Sequence, residues 1–130
     1  MKRADRGQTL VEFALILPIL LLMLIGIFDF GRAVFIYNAI SNGAREGARY
    51  GIIHPTDVAE IEARAVAQTA LIDLGDPNLT ITVETPDGTG RGDPLTVTMQ
   101  YDFYAVTPFL SIVWGGGSLP LEGSATMHIE

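Results

Sequence analysis

The sequence contains no cysteine, which excludes disulfides and thiolate metal sites. Its two histidines, His54 and His128, stand far apart with no spaced acid beside them, so no metal centre is expected. Positive charge is scarce after residue 50, where two arginines face eleven acids for a net of −9. Residues 1–50 carry six basic against four acidic residues, a net of +2. An acidic globular part excludes nucleic-acid binding through that part, which needs a basic face. The split suits a chain whose ends meet different surroundings. No Ser-His-Asp grouping has supporting motif context, and the glycines of residues 86–94 are not followed by the Gly-Lys-Ser/Thr of a phosphate cradle. No catalytic cleft, cofactor or small-molecule substrate is therefore expected.

Charge is missing altogether from Phe13 to Phe28. Before that run stand Lys2, Arg3 and Arg6, then Gly7, then Gln-Thr-Leu-Val-Glu-Phe. The outline is that of a secretory signal, but after Phe28 the chain reads Asp-Phe-Gly-Arg-Ala-Val-Phe-Ile-Tyr and offers no small-residue cleavage site. The sixteen uncharged residues rise about 24 Å as a helix, short of the ~30 Å hydrocarbon core. Thr9 to Val11 and Phe30 bring the segment to spanning length. The basic stub before it, with no basic residue in the ten after Arg32, places the N-terminus in the cytoplasm and the rest outside. Pro18 and Gly26 are either ordinary membrane-helix residues or a weak point where the helix bends on repacking. Glu12 stands at the edge of the apolar run. It either snorkels to the cytoplasmic headgroups or has a function, the default reading of an acid inside a span. A chain cut after Gly7 gains an ammonium at Gln8, a natural partner for that carboxylate.

Gly7, with Glu12 and Phe13 beyond four intervening residues, resembles the prepilin peptidase site of type IV pilins and their relatives. The wider string Arg6-Gly7-Gln8-Thr9-Leu10-Val11-Glu12-Phe13-Ala14, the Leu-Pro step and Gly31-Arg32 resemble the TadE-like pseudopilins of tight-adherence (Flp) pilus systems. Gly43-Ala44-Arg45-Glu46-Gly47-Ala48-Arg49-Tyr50-Gly51 and the ending Ser124 to Glu130 agree with that likeness. The resemblance implies cleavage between Gly7 and Gln8 by a prepilin peptidase, and recognition or subunit register through Glu12 and Phe13. It implies partners among other pilins, pseudopilins and the assembly platform. The sizeable region after the helix implies a minor subunit rather than the main filament builder.

Beyond the membrane the helix is expected to continue from Arg32 to Ile53, with Val34, Ile36, Ile40 and Ala44 only roughly at helical spacing. Asp29 and Arg32, three apart, either pair where the helix leaves the bilayer or stand as two solvated charges. Gly43, Gly47 and Gly51 recur every fourth residue. Each costs about 1 kcal/mol against alanine in a helix interior, so close backbone approach is expected, with the domain's own sheet favoured over a neighbouring helix. Pro55 ends the helix. Asp57 with Glu60 opens a second helix over 57–74, its stripe of Val58, Ile61, Ala65 and Ile72 interrupted at Gln68 and Thr69, its stop at Gly75 and Pro77. Leu79 to Thr85 and Leu95 to Tyr101 alternate as strands around a Gly-rich hairpin loop, the second extensible to Val106. Residues 107–118 are a connection whose Phe109 to Trp114 run either touches a partner or membrane, or fills the core. Leu119 to Ile129 reads as a third strand, with a break at Gly123. Arg91-Gly92-Asp93 spells an adhesion tripeptide, but a turn so rich in Gly and Asp yields it by chance.

The expected fold is α+β and pilin-like. A long N-terminal helix, membrane-spanning in its first half, precedes a second helix packed on a small antiparallel sheet of about three strands. The expected divisions are a cytoplasmic leader (1–7), a transmembrane segment (8–30) and an extracytoplasmic domain (31–130). The expected function is that of a non-enzymatic minor pseudopilin in tight-adherence pilus assembly, held in the bacterial cytoplasmic membrane. The alternative is an uncleaved single-pass anchor whose outer domain binds secretion or surface components.

Overall fold

The computed structural model describes residues 4–69, 72, 76–113 and 115–130. Lys2, Arg3, the helix stop at Gly75 and Trp114 lie outside them, as do the side chains of Arg6, Phe109 and Leu110. The chain runs α1 (Ala4–Gly51), α2 (Val58–Ala67), β1 (Leu79–Glu84), β2 (Pro94–Phe103), α3 (Pro108–Val113) and β3 (Leu119–His128). The three strands form one antiparallel sheet in the order β1-β2-β3. This is the α+β architecture expected: one long helix, a second helix and a three-stranded sheet.

The 48 residues of α1 rise about 72 Å, more than this domain can cover. Its C-terminal half lies on the sheet through a stripe of Ile36, Ile40, Ala44 and Ala48, all buried, at the spacing of one helix face. Val34 falls off that stripe and is exposed. Inward-facing Leu95, Val97, Met99 and Phe103 of β2 complete the core, alternating with Thr96, Thr98 and Gln100 on the outer face as the two-residue period of a strand requires. On that outer face the Thr96 and Thr126 hydroxyls meet at 2.9 Å, and those of Thr98 and Ser124 at 3.2 Å.

The glycine periodicity of α1 has a direct structural cause. A Cβ on Gly43 would meet the Ala65 carbonyl and Met99 Sδ, one on Gly47 the Ala65 Cβ, Ile61 carbonyl and Val97, and one on Gly51 the side chains of Leu95 and Ile61. Four helical residues advance about 6 Å and two strand residues about 6.8 Å. Gly51, Gly47 and Gly43 therefore meet Leu95, Val97 and Met99 in turn, with α2 closing the other side. β2 thus runs antiparallel to α1. Gly123 makes the matching approach from β3: a Cβ there would stand 2.7 Å from the Ser41 nitrogen and 2.8 Å from its Cα. β3 continues through Gly123 unbroken, because the residue serves helix contact and not a strand end.

Asp57 caps α2, its carboxylate accepting from the Glu60 backbone N–H at 3.3 Å. The helix ends at Ala67 instead of reaching residue 74. Thr69 is the reason: its hydroxyl lies 2.7 Å from both the Val66 and Ile72 carbonyls, a local alternative to helical bonding. Ile72 is still buried, past the helix end, while Val58 is exposed. Within the expected 107–118 connection, Thr107-Pro108 opens the short helix α3, proline being pre-set for a first helical turn.

Candidate functional site

Among the described residues, the first half of α1 leaves the domain with no packing partner of its own. Leu10, Phe13, Ile16, Ile19, Met23 and Ile27 are all exposed, and the most apolar 18-residue window of this helix has a mean hydropathy of 2.8 with none of it buried. Among the described residues this is the one helix long and apolar enough to cross a membrane, and it suits a single-pass anchor. The helix runs unbroken through Pro18, and a Cβ on Gly26 or Gly31 would meet nothing within 4 Å.

Gly7 lies in the first turns of α1 with open space around it. Gln8 Nε2 donates to Glu12 Oε1 at 3.3 Å, so the two residues share a helix face one turn apart, and Phe13 beside them is exposed. These four residues form one cluster at the free end of α1. Gly43, Gly47 and Gly51 form a second, at the far end, pressed against α2 and β2.

Between the clusters lies a feature that sequence spacing reached only in part. Asp29 does pair with Arg32, Nη1 to Oδ1 at 3.3 Å, and the Arg32 guanidinium sits 5.2 Å from the centre of the Phe103 ring. Asp29, however, is only 1% exposed. Its Oδ2 accepts from the Thr107 N–H at 2.7 Å and the Thr107 hydroxyl at 2.6 Å, and its Oδ1 from the Val106 N–H at 3.1 Å. The carboxylate binds the chain between β2 and α3 to the helix at the point where α1 leaves the domain. A contact across 78 positions leaves no periodic trace. Its local signals were the Thr107-Pro108 helix start and an aspartate closing the uncharged run.

Two open grooves flank α1 at this level. One, of about 410 Å³, is lined by Phe30, Ala33, Val34 and Tyr37 with Phe103, Leu119 and Leu121. The other, of about 480 Å³, lies between Ile27, Phe28, Phe35 and Tyr101. Tyr104 and Val106, just past the end of β2, are exposed, as are Ile112 and Val113 of α3, so these two members of the Phe109 to Trp114 run do not fill the core. At the opposite end of the domain, Gly92 N–H donates to the Ile129 carbonyl at 2.7 Å and the Asp93 carboxylate accepts from Gly90 N–H at 2.8 Å. The acid of the Arg91-Gly92-Asp93 tripeptide thus ties its own loop. Where α1 meets α2, Tyr50 stacks on His54 with ring centres 4.7 Å apart. Burial, with the negative charges of Asp57 and Glu60 nearby, holds the Tyr50 hydroxyl above its ordinary pKa. Among the described residues no cluster of three or more His, Asp or Glu could hold a metal ion.

No curated protein and no solved structure matches the chain. The family model described as TadE-like protein matches residues 7–49, from the glycine at the free end of α1 to the glycine-rich face packed on the domain. Over this helix the chain is similar to TadE-like proteins, a likeness that suggests involvement with the tight-adherence pilus and its components.

Proposed function

We propose that the protein is a minor, non-enzymatic pseudopilin of tight-adherence pilus assembly, cleaved between Gly7 and Gln8 by a prepilin peptidase. It is anchored with its N-terminus inside and its α+β domain outside the cytoplasmic membrane. The observation that supports this reading most is the family match beginning at Gly7 on a helix whose apolar half is entirely unpacked. Cleavage gives Glu12 two favourable neighbours. The new ammonium at Gln8 starts one helical turn below it, about 6 Å along the axis. Glu12 also comes to lie near the positive end of the mature helix, where an acid gains about 0.3–1 kcal/mol. An acid that is costly in lipid becomes half of a pair, within its own chain or with a neighbour's terminus. The apolar half of α1 is held by the bilayer until helices of other subunits supply equivalent contact. The sheet and α2, packed on the C-terminal half of α1, form a unit that stays folded through that transfer, since the glycine face of α1 is already covered by its own domain.

Intact-mass measurement of the protein extracted from its host membrane tests the reading. The expected mature chain begins at Gln8, and Gly7→Leu blocks its formation. A chain still beginning at Met1 in cells with an active prepilin peptidase refutes the processing.

A further inference from the structure

From Phe103 to Leu121 the chain carries no charged residue, in a C-terminal region otherwise crowded with acids. Within that stretch Tyr104, Val106, Ile112 and Val113 are 58%, 66%, 73% and 65% exposed. Two observations fix where this apolar surface lies. β2 runs antiparallel along α1, from Leu95 at Gly51 to Phe103 at Arg32, and so delivers its end to the side of the domain from which the apolar half of α1 emerges. Asp29 then binds Val106 and Thr107 directly. Asp29 is the first charged residue after the uncharged run of residues 13–28. From Gln8 to Asp29 the helix rises about 32 Å, against a hydrocarbon core of ~30 Å. The segment is therefore level with the outer boundary of the anchor.

We propose that the segment from Tyr104 to Val113 rests on the outer face of the bilayer that α1 crosses, the exposed side chains of Tyr104, Val106, Ile112 and Val113 entering the lipid interface, with Asp29 as the tether that sets their depth. The inference rests on the anchor reading above and goes beyond it. An aspartate facing lipid at a membrane boundary is costly unless it is paired or hydrogen-bonded. Here its oxygens take two backbone N–H groups and a hydroxyl, with Arg32 alongside. The tether is compatible with that depth because the loop itself supplies the hydrogen bonds that water would otherwise provide. Tyr104 adds an amphipathic aromatic suited to the headgroup level. With a second contact beside the helix, the domain is fixed in tilt relative to the membrane and does not swivel freely on a single stem.

The absence of native cysteine makes the test clean. Full-length protein carrying Ile112→Cys, Leu22→Cys or Asp87→Cys is labelled with an environment-sensitive fluorophore. It is reconstituted into phosphatidylcholine–phosphatidylglycerol vesicles containing lipids with a nitroxide near the headgroup or deep in the acyl chain. Label at position 112 is expected to shift to the blue and to lose fluorescence mainly to the shallow nitroxide, label at 22 mainly to the deep one, and label at 87 to neither. Adding Val106→Asp and Val113→Asp to Ile112→Cys is expected to abolish the quenching at 112, with flotation on the vesicles kept. Quenching at 22 but not at 112 overturns the inference and leaves the anchor standing, whereas quenching at neither position overturns both. Quenching at 112 that survives the two aspartates also overturns it, since apolar contact would then not hold the loop.

Discussion

Replacing Gly123 by alanine sets two opposing effects against each other. In a strand interior, glycine ordinarily weakens the fold by about 0.5–1 kcal/mol relative to alanine, so the exchange is stabilising wherever there is room. At Gly123 there is none. The added Cβ would stand 2.7 Å from the Ser41 nitrogen, 2.8 Å from its Cα and 3.0 Å from the Ile40 carbonyl carbon, where ordinary contact begins at 3.4 Å. Those neighbours are helix backbone, with no rotamer to change. Relief requires α1 and β3 to separate by about 0.7 Å, and a gap of that size forfeits a quarter to a half of the dispersion energy of each contact it opens. Ile40 and Met99, both fully buried near this crossing, lose contact with it. Overpacking of this kind costs about 1–3 kcal/mol, which outweighs the entropic gain. With a net loss near 1 kcal/mol, thermal unfolding of the domain in detergent micelles should fall by about 4–8 °C. The matched control is Gly31→Ala, where nothing lies within 4 Å and helix propensity alone predicts a gain of up to about 1 kcal/mol. A Gly123→Ala protein melting within a degree of the parent would refute the close-approach argument.

Asp29→Ala leaves the Val106 and Thr107 amides without their acceptor, at about 1–3 kcal/mol for the buried Thr107 donor and less for that of exposed Val106. Faster hydrogen exchange at these two amides, with little change at the α2 amides, is the expected record. Asp57→Ala removes the cap of α2 and should cost about 0.5–2 kcal/mol, read as a lower melting temperature. Asp57→Asn, which also caps, should retain most of it. Thr69→Val keeps the shape but removes the hydroxyl, whose single proton serves the Ile72 carbonyl while the Thr69 N–H holds that of Val66. A loss of about 1–3 kcal/mol should appear in a denaturant midpoint.

Local chemistry made most of the elements legible in the sequence. The uncharged run from Phe13 to Phe28, the Asp57 cap and the strict alternation of Leu95 to Tyr101 each act within a few residues of themselves, so spacing alone reveals them. The end of α2 was legible in part, as the break at Gln68 and Thr69. That Thr69 ends the helix depends on where its hydroxyl turns. The cluster of Gly7, Gln8, Glu12 and Phe13 was readable for the same local reason, as a short motif on one helix end. Asp29 was half readable: its partner Arg32 lies one turn away, whereas Val106 and Thr107 reach it only after the sheet has been built.

A long apolar helix with an acid at its start, an acidic α+β region behind it, and strands of fixed face follow from residue order, because charge, hydrophobicity and period are properties of consecutive residues. The tertiary structure alone decided that Gly43, Gly47 and Gly51 meet α2 and β2 together, that Gly123 is the counterpart of Ser41, and that a buried Asp29 holds the α3 segment at the helix exit. Each of those joins surfaces from distant parts of the chain. Such a match depends on how four helical residues line up with two strand residues at a common spacing, which emerges only when the two elements are packed together.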